Sequence, residues 1–484
     1  MTELWSEPRT GSRRLSVLLA RGPARFDVRL WLSQPVDIAW LAAFRALFGL
    51  TLAVSMLRFI AYGWIDDFFV TPKFHFKYWL FEWVEPLSAP LMHGLFWLLL
   101  LLALCVAVGF WFRLSASLFL LGFAYLQLLD VATYLNHYYL VLLLGALLAL
   151  SPAAQAYSFD ARRGAGSVDR VPRLWLVLLR FQVGIVYTFA GLAKATPDWL
   201  LHGQPLNIWL AARTDLPLLG PIFIQPWAPT LMSWAGFLFD TTIVWWLLWP
   251  RARPYAYAVV IGFHLMTRLL FPIGMFPVIM TLAALVFFPP DWPRRVLALW
   301  SRGRSMLRAH ALTERESHGG AGAPRVSGWA LVFFAAYCLA QLLLPLRSLA
   351  YGGDVLWHEQ GMRFSWRVMV REKNGSVTFH VRRKDTGHVW HVSAKRWLTR
   401  QQESEMASQP DLILQFAHFL RDDFETRGMG PVEVRVEALV SLNGRPFAVM
   451  VDPEVDLAVT RDGLAKAHWI RAAPSDPPPH VRPI

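Results

Sequence analysis

Three polar side chains recur at a spacing of seven residues within the hydrophobic stretch RFQVGIVYTFAGLAKATPDWL. They are Arg180, Tyr187 and Lys194. Because seven residues are close to two turns of an α-helix, we expect the three side chains near one helix face. The small residues Ala190 and Gly191 would let another helix or a flat ligand approach the backbone closely.

Lys194 ends this apolar run and precedes Pro197 and Asp198. An ammonium group that loses its water is deprotonated more easily, so Lys194 is a candidate general base. The same position also suits a lysine whose methylene chain lies in a membrane while its charged end reaches the surface. The stretch alone leaves both interpretations open.

The dipeptide Asn136-His137 interrupts two other hydrophobic runs, in TYLNHYYL. If this break lies at the same membrane face as Lys194, an imidazole and an amine could share an acid–base task. His264 and Arg268 are four residues apart, so they share a helix face that could line a cavity. The FPIGMF stretch that follows, residues 271–276, breaks that helix and suits either a flat apolar ligand or a simple turn.

Composition indicates the class of protein that must position these groups. The chain has 484 residues, of which 55% are hydrophobic and 17% charged, with 24 Trp and 33 Phe. The mean hydropathy is +0.36. Several runs reach the roughly 20 apolar residues that a membrane helix needs. We therefore predict a multi-pass membrane protein, in which the net charge of +13 reflects arginine-rich loops rather than a nucleic-acid partner.

The hydropathy pattern predicts about nine spans. They fall near residues 37–61, 93–112, 114–132, 138–151, 174–194, 227–249, 255–271, 273–288 and 328–346. The loops 152–173 and 289–326 are basic, which favours a cytoplasmic N-terminus by the positive-inside rule. An odd number of spans then places the C-terminal part outside, on the same side as His137 and Lys194.

The part after the last span has a different pattern. RVMVREKNGSVTFHVRR alternates around Asn374-Gly375, and VEVRVEALVSLNGRPFAVMVD alternates around Asn443-Gly444, which predicts two hairpins. PDLILQFAHFLRDDF has the apolar spacing of a helix. We predict a smaller α+β domain with an antiparallel sheet. The predicted divisions are a cytoplasmic basic N-terminus (1–36), a transmembrane catalytic domain (37–346), an extracytoplasmic α+β domain (347–472) and a disordered Pro-rich tail (473–484).

Ionisable side chains inside predicted spans are costly and mark either a site or a buried pair. Arg45, Asp130, Arg180 and Asp240 are such residues, and a pair of Asp240 with Arg45 or Arg180 would clamp two helices. The two cysteines, in apolar runs, do not suggest a metal site. Nucleotide-binding loops, HExxH and the nucleophile elbow are absent from the sequence. The residues alone indicate a membrane protein with a basic site at its outer face and a quinone-like cavity.

Several further segments recur in collinear order along the chain. They are LAAFRALFGL, LLDVATYLNHYYL, IVYTFAGLAKATPDW, FHLMTRLLFPIGMF with PPDWPRR, AQLLLPL, FSWRVMV and RPFAVMVDPEVDL. Together these segments resemble the vitamin K-dependent γ-glutamyl carboxylase family, including its bacterial members, over roughly residues 36–460.

The resemblance implies roles for particular residues. Lys194 occupies the position of the family's catalytic base, and His137 that of a histidine of the carboxylation half-reaction. The other implied site residues are Asn136, Trp357, Trp366 and Met369 for the substrate, and Tyr187, His264, Phe271 and Met275 for the quinone.

The resemblance also implies the chemistry. Reduced vitamin K (phylloquinol or menaquinol) would be the cofactor, O2 and CO2 the co-substrates, and no metal would be needed. An amine made less basic by burial can deprotonate a hydroquinone, and oxygenation would convert this anion into a base strong enough for the γ-proton of glutamate. The quinone would come from the lipid bilayer, and the glutamyl peptide or protein from the extracytoplasmic side. The apolar pocket would exclude water.

Two departures from the vertebrate pattern shape the expected activity and location. Ala193 precedes Lys194 where vertebrate members have a second lysine, and the outer domain contains no cysteine. We expect a bacterial inner-membrane protein, or an ER membrane protein if the source is eukaryotic. The alternatives are a quinone epoxidase of the same fold that does not carboxylate glutamate, and a non-enzymatic transporter or scaffold.

Overall fold

The structure of the chain, a computed structural model, describes residues 26–164, 167–301 and 325–479. Four parts of the predicted organisation therefore lie partly outside the described residues. They are residues 1–25 of the basic N-terminus, residues 165 and 166 of the basic loop 152–173, residues 302–324 of the basic segment before the last span, and residues 480–484 of the Pro-rich tail.

The described chain before residue 347 is mainly helical. In chain order its elements are α1 (Val28–Ser33), β1 (Pro35–Asp37), α2 (Ala39–Ala61), α3 (Ala89–Val108), α4 (Phe112–Leu129), α5 (Asn136–Leu150), α6 (Phe159–Arg162), β2 (Arg170–Pro172), α7 (Arg173–Leu192), α8 (Pro197–Leu200), α9 (Leu206–Ala211), α10 (Gly220–Phe223), α11 (Ala228–Leu248), α12 (Arg253–Leu270), α13 (Phe276–Ala283), α14 (Trp292–Ser301) and α15 (Gly328–Leu346). The two strands form a short antiparallel pair.

Within the described residues, six helices are long and apolar enough to cross a membrane: α2, α3, α4, α7, α11 and α15. A seventh crossing is possible if α13 and α14 count as one span, although the chain bends by 99° between them. The structure thus confirms a multi-pass helical membrane protein. The predicted count of nine spans is wrong.

The difference concerns the predicted spans 138–151, 255–271 and 273–288. Helix α5 has 15 residues, which rise only about 22 Å, less than the ~30 Å of a hydrocarbon core. Helix α12 has 18 residues but carries Arg253, His264 and Arg268, so it is less apolar. Helix α13 ends after 8 residues and continues as a short 3-10 turn. A hydropathy pattern identifies these apolar segments but overestimates how many of them can cross a membrane. The cytoplasmic position of the N-terminus stays a prediction.

The C-terminal part contains a four-stranded antiparallel sheet in the order β4-β3-β5-β6. Its elements are α16 (Val355–His358), β3 (Lys373–Arg383), β4 (Val389–Val392), α17 (Arg400–Ser408), α18 (Pro410–Thr426), β5 (Val432–Leu442) and β6 (Ala448–Val449). Buried residues alternate with partly buried ones along β5, as expected for a strand whose one face packs on the core. Helix α18 confirms the predicted amphipathic helix, and its apolar face packs on this sheet.

One of the two predicted hairpins is wrong. Asn374 and Gly375 lie inside β3, paired with Ser441 and Val440 of the long strand β5. A Cβ atom on Gly375 would lie 2.2 Å from the carbonyl oxygen of Ala407 in α17. The glycine therefore allows close approach of a helix rather than a turn.

The second hairpin is confirmed. Strand β5 pairs antiparallel with β6, and the connection contains Asn443 and Gly444, both with positive φ. This connection reaches the membrane part, because Asn443 Nδ2 donates to Asp198 Oδ2 over 2.7 Å.

Candidate active site

Lys194 lies directly after α7, where its side chain faces α11. Its Nζ donates to Asp240 Oδ2 over 2.8 Å and to the carbonyl oxygen of Ala190 over 3.2 Å. Only 7% of the Lys194 side chain and 8% of the Asp240 side chain are exposed. The ring of Trp199 lies 5.2 Å from Nζ, a cation–π distance. The amine is therefore held inside the protein, beside a single carboxylate.

A glycine on α7 brings these two helices close enough for the pair. A Cβ atom on Gly191 would lie 2.9 Å from the backbone nitrogen of Thr241. Since Thr241 follows Asp240, the small residue lets the α11 backbone approach the end of α7. This is the close approach that the sequence predicted for the small residues before Lys194.

The predicted clamp between Asp240 and an arginine is absent from the described residues. Arg45 instead donates to the carbonyl oxygens of Val106, Ala107 and Tyr157, at 3.2, 3.0 and 2.7 Å. Arg180 donates to the carbonyl oxygens of residues 286–288. Both guanidinium groups thus donate to carbonyl groups where helices or turns end. Asp240 pairs with Lys194 and with neither arginine.

An apolar cavity of about 250 Å³ opens beside the Lys194–Asp240 pair. Most of its wall is aliphatic or aromatic, and its few polar groups are Lys194, Asp240, Tyr187, His264 and Thr267. The lining residues are Val186, Tyr187, Ala190, Lys194, Trp199, Leu206, Trp209, Met232, Ala235, Gly236, Asp240, Phe263, His264, Met266, Thr267, Leu270, Phe271, Ile273, Phe276, Met280, Val368 and Met369. An apolar cavity with a few converging polar groups is typical of a small-molecule site.

Tyr187 and His264 form a buried pair on the wall of the apolar cavity. The tyrosine hydroxyl and His264 Nε2 are 3.0 Å apart. The other ring nitrogen, Nδ1 of His264, is buried and has no hydrogen-bond partner among the described residues. A buried ring nitrogen without a partner is costly, so the tyrosine hydroxyl is the contact that stabilises this ring.

The predicted helix break is present, and it lies beside this cavity. Helix α12 ends at Leu270 and α13 begins at Phe276, and Phe271, Ile273 and Phe276 line the wall. Gly274 has a φ of +61°, which a residue with a side chain rarely adopts. Met275, predicted to contact the quinone, is buried but does not line the cavity. Arg268, predicted to share a lining face with His264, does not line it either and donates to the Gly274 carbonyl oxygen over 3.1 Å.

His137 is buried at the start of α5, behind this break. Its ring centroid lies 6.2 Å from that of Phe276, and its Cε1 lies 3.7 Å from a Cβ built on Gly274. Phe276 lines the apolar cavity, whereas His137 does not. The side chain of Phe276 therefore lies between the His137 imidazole and the cavity that contains the Lys194 amine.

A second, polar cavity of about 240 Å³ adjoins the first at Met369, which lines both. Its lining residues are Val131, Ala132, Tyr134, Asn136, Glu359, Met362, Arg363, Arg367, Met369, Val370, Arg371, Glu405 and Gln409. Asn136 Nδ2 donates to the carbonyl oxygen of Arg367 over 3.3 Å. Of the residues predicted for the substrate, Asn136 and Met369 thus come together here.

Trp357 and Trp366 lie elsewhere. Trp357 belongs to the core of the C-terminal domain and donates to the Arg471 carbonyl oxygen over 2.9 Å. Trp366 is fully buried and stacks on Tyr139 with ring centroids 4.9 Å apart. Neither lines either cavity, so their positions suit packing.

The C-terminal domain reaches the site at three further points. The Val368 carbonyl oxygen lies 3.5 Å from Lys194 Nζ. Glu372 Oε2 accepts from Trp209 Nε1 over 2.6 Å, and Trp209 lines the apolar cavity. Asp198 accepts from Arg445 over 2.6 and 2.7 Å. Burial acts to raise the pKa of Asp198, but the hydrogen bonds from Arg445 and Asn443 outweigh it and hold this pKa below its ordinary value.

Sequence reasoning missed several wall residues. Trp199 follows Lys194 closely and could have been found from that spacing, since a short helix brings the ring back over the amine. Trp209 and Val368 carried no local signal, because their places depend on how distant segments pack. Asp240 was identified as an intramembrane acid, but its lysine partner was not.

Two families match the chain. The HTTM domain matches residues 33–292, more than half of the chain. The vitamin K-dependent gamma-carboxylase, lumenal domain, matches residues 326–476, which indicates an extracytoplasmic C-terminal domain. No solved structure matches the chain.

Proposed function

Since the chain belongs to the vitamin K-dependent γ-glutamyl carboxylase family, we propose that it couples oxygenation of vitamin K hydroquinone to carboxylation of glutamyl side chains. The observation that carries this proposal is the buried Lys194–Asp240 pair at the wall of an apolar cavity. The family match gives a carboxylase-type function. The pair and the cavity support the residue roles below.

The apolar cavity fits the ring of reduced vitamin K. Aromatic and aliphatic residues form most of the wall, and its few polar groups, among them Lys194 and Tyr187, would face the ring oxygens. Phe271 and the Tyr187–His264 pair would hold the ring. When bound, reduced vitamin K supplies, with O2, the base that removes the γ-proton of glutamate before CO2 adds to that carbon.

Lys194 has the role of accepting the proton of a hydroquinone hydroxyl at its Nζ. Burial penalises both an ammonium and a carboxylate, whereas a neutral amine beside a carboxylic acid keeps the same hydrogen bond. Asp240 can therefore hold the proton of the pair while Nζ presents a lone pair to the cavity. The ammonium that forms after proton transfer would keep its hydrogen bond to Asp240 and would be stabilised by the adjacent hydroquinone anion.

Water exclusion is the second role of these residues. Trp199, Trp209 and Met369 line the cavity that contains the amine, and Met369 and Val368 come from the C-terminal part of the chain. A strong base or a carbanion formed nearby would be quenched by water, so a dry wall is a requirement of the reaction. For His137, which lies next to Phe276, we propose the role in the carboxylation half-reaction that its family position implies.

The test is epoxide formation from reduced vitamin K by the purified protein in lipid nanodiscs, together with labelled CO2 incorporation into a short glutamyl peptide. We expect both products from the wild type and neither from Lys194→Ala. Lys395→Ala, at an exposed lysine of the C-terminal domain, is the matched control and should behave like the wild type.

The outcomes separate the alternatives. Epoxide without CO2 incorporation would indicate a quinone epoxidase of the same fold. Absence of epoxide from folded wild type would contradict both enzyme proposals and favour a transporter or scaffold.

A further inference from the structure

Two loops expose a leucine that the protein leaves largely uncovered. The first loop, residues 62–88, connects α2 and α3, and the second loop, residues 193–227, connects α7 and α11. Leu80 in the first loop has a φ of +70° and is 62% exposed, and Leu218 in the second has a φ of +67° and is 90% exposed. A residue with a side chain rarely adopts this backbone conformation, so both positions require an explanation.

The C-terminal domain contacts both loops. Phe74 of the first loop packs on Phe416 of α18, with ring centroids 5.7 Å apart. Asp198 of the second loop accepts from Arg445 over 2.7 Å. Both loops therefore lie at the end of the membrane part that carries the C-terminal domain, which is the extracytoplasmic end.

The tip of the second loop, residues 216–227, is an apolar surface that continues into a membrane helix. Residues 216–239 contain no charged side chain. The exposed apolar residues of this stretch near Leu218 are Ile222, Ile224 and Trp227, and those in the first turns of α11 are Leu231 and Trp234. Single exposed apolar residues are ordinary, but a contiguous set marks a surface that something covers. Since α11 is a candidate span, lipid covers the adjoining surface.

The tip of the first loop, residues 79–83, has the same continuity but a more polar composition. Its exposed aromatic residues are Trp79, Phe81 and Trp83, and the exposed residues that lead into α3 are Leu87 and Leu91. Glu82 lies within this tip and its carboxylate accepts from the Leu80 backbone nitrogen over 2.9 Å. Tryptophan beside polar groups is typical of the headgroup region of a bilayer.

We propose that both tips insert into the extracytoplasmic leaflet and anchor the C-terminal domain to the membrane surface. The second tip, which has no charge, would reach the acyl chains, and the first would lie among the headgroups. Neither tip contains a lysine or an arginine, so the contact is with the apolar part of the lipid and requires no anionic headgroup.

This anchor would also fix one wall of the apolar cavity. Trp209, which lines the cavity, belongs to the second loop. Arg213 of the same loop donates to the carbonyl oxygen of Leu270 at the end of α12 over 2.9 Å. Insertion of the tip would thus hold this wall at the level of the bilayer.

The test measures the depth of a fluorophore at each tip of the full chain. Cys105 and Cys338 are replaced by alanine, and an NBD group is attached to Leu218→Cys or Leu80→Cys. The protein is placed in phosphatidylcholine nanodiscs with plain or brominated acyl chains. The label at position 218 should lose most of its fluorescence to brominated lipid and little to iodide in the water. The label at position 80 should be quenched by both, as expected among headgroups.

Two labelled positions provide the references. Leu121→Cys, on α4 and 68% exposed, reports lipid contact, and Thr386→Cys, at an exposed turn between β3 and β4, reports water contact. Phosphatidylglycerol added to the nanodiscs should leave the quenching unchanged. Iodide quenching at positions 218 and 80 equal to that at position 386 would overturn the proposal. Protection from both quenchers would also overturn it, because a second copy or another protein would then cover the tips.

Discussion

Lys194 Nζ lies 2.8 Å from Asp240 Oδ2, and both side chains are buried between α7 and α11. The two residues are 46 positions apart in the chain. Their contact depends on Gly191, whose missing side chain lets the α11 backbone approach. The close contact between α7 and α11 therefore positions the two groups that we propose act at the apolar cavity.

The first prediction concerns the stability of this pair. Lys194→Met or Asp240→Leu alone should lower the free energy of unfolding by about 1–3 kcal/mol, because each leaves one buried polar group without its partner. The double variant should lose much less than the sum, since both polar groups are then gone. Denaturant unfolding in detergent micelles measures this, with Lys395→Met as control. Additive losses would mean that the two groups do not interact.

The second prediction concerns Tyr187. Tyr187→Phe removes the hydroxyl that lies 3.0 Å from His264 Nε2 and leaves the histidine with two unpartnered ring nitrogens. We expect a stability loss of about 1–3 kcal/mol and a higher KM for the hydroquinone, with an unchanged KM for the glutamyl peptide.

The control for Tyr187 is Tyr257→Phe on α12, whose hydroxyl donates to the Thr281 carbonyl oxygen and which does not line the apolar cavity. It should leave the KM for the hydroquinone unchanged. An equal rise of this KM in both variants would show that the effect is not specific to the cavity wall.

The third prediction is a pH dependence at the contact between Asp198 and the C-terminal domain. Hydrogen bonds from Arg445 and Asn443 hold the pKa of Asp198 below its ordinary value. This contact then stabilises the protein fully above the pKa of Asp198 in the unfolded chain, about 3.9. The stabilisation is lost as the pH falls through the lower pKa of Asp198 in the folded protein. Asp198→Asn should therefore be less stable than the wild type at pH 7.

Thermal unfolding from pH 7 to pH 3 provides the measurement for Asp198. The difference in unfolding temperature between wild type and Asp198→Asn should shrink toward the acid end of this range. Asp385→Asn, at an exposed position beside Arg383, is the control and should show little difference at any pH. If the difference in unfolding temperature between wild type and Asp198→Asn increased as the pH fell, the predicted pH dependence would be contradicted.

The fourth prediction concerns Gly375 in β3. Gly375→Ala would place a Cβ atom 2.2 Å from the Ala407 carbonyl oxygen, so α17 must move away from the sheet. Overpacking of this kind typically costs about 1–3 kcal/mol. Hydrogen exchange of the β3 and α17 amides should become faster, whereas Ser376→Ala, on the exposed face, should leave it unchanged.

The sequence predicted much of the local structure. Runs of apolar residues identified the long membrane helices, Pro272 and Gly274 identified the break, and Asn443-Gly444 identified a true hairpin. These features depend on residues close in the chain, through hydrophobic periodicity, a fixed φ or a positive φ. The same rules overstated the number of spans, because a short or charged amphipathic helix still produces an apolar segment.

Asn374-Gly375 shows where a local rule fails. The dipeptide is a strong turn signal on its own, but here the strand continues and pairs with β5 along its whole length. The glycine is required by α17, which follows some 30 residues later in the chain. A pattern of neighbouring residues contains no information about that contact.

The sequence by itself determined the membrane class, the family resemblance and the candidate groups Lys194, His137 and His264. Only the tertiary structure decided that Asp240 pairs with Lys194, that the Arg45 and Arg180 side chains bind backbone carbonyls instead, and that Met369 joins two cavities. The physical reason is that periodicity fixes which face of a helix is apolar. The partner that a buried charge finds depends on which backbones can approach one another.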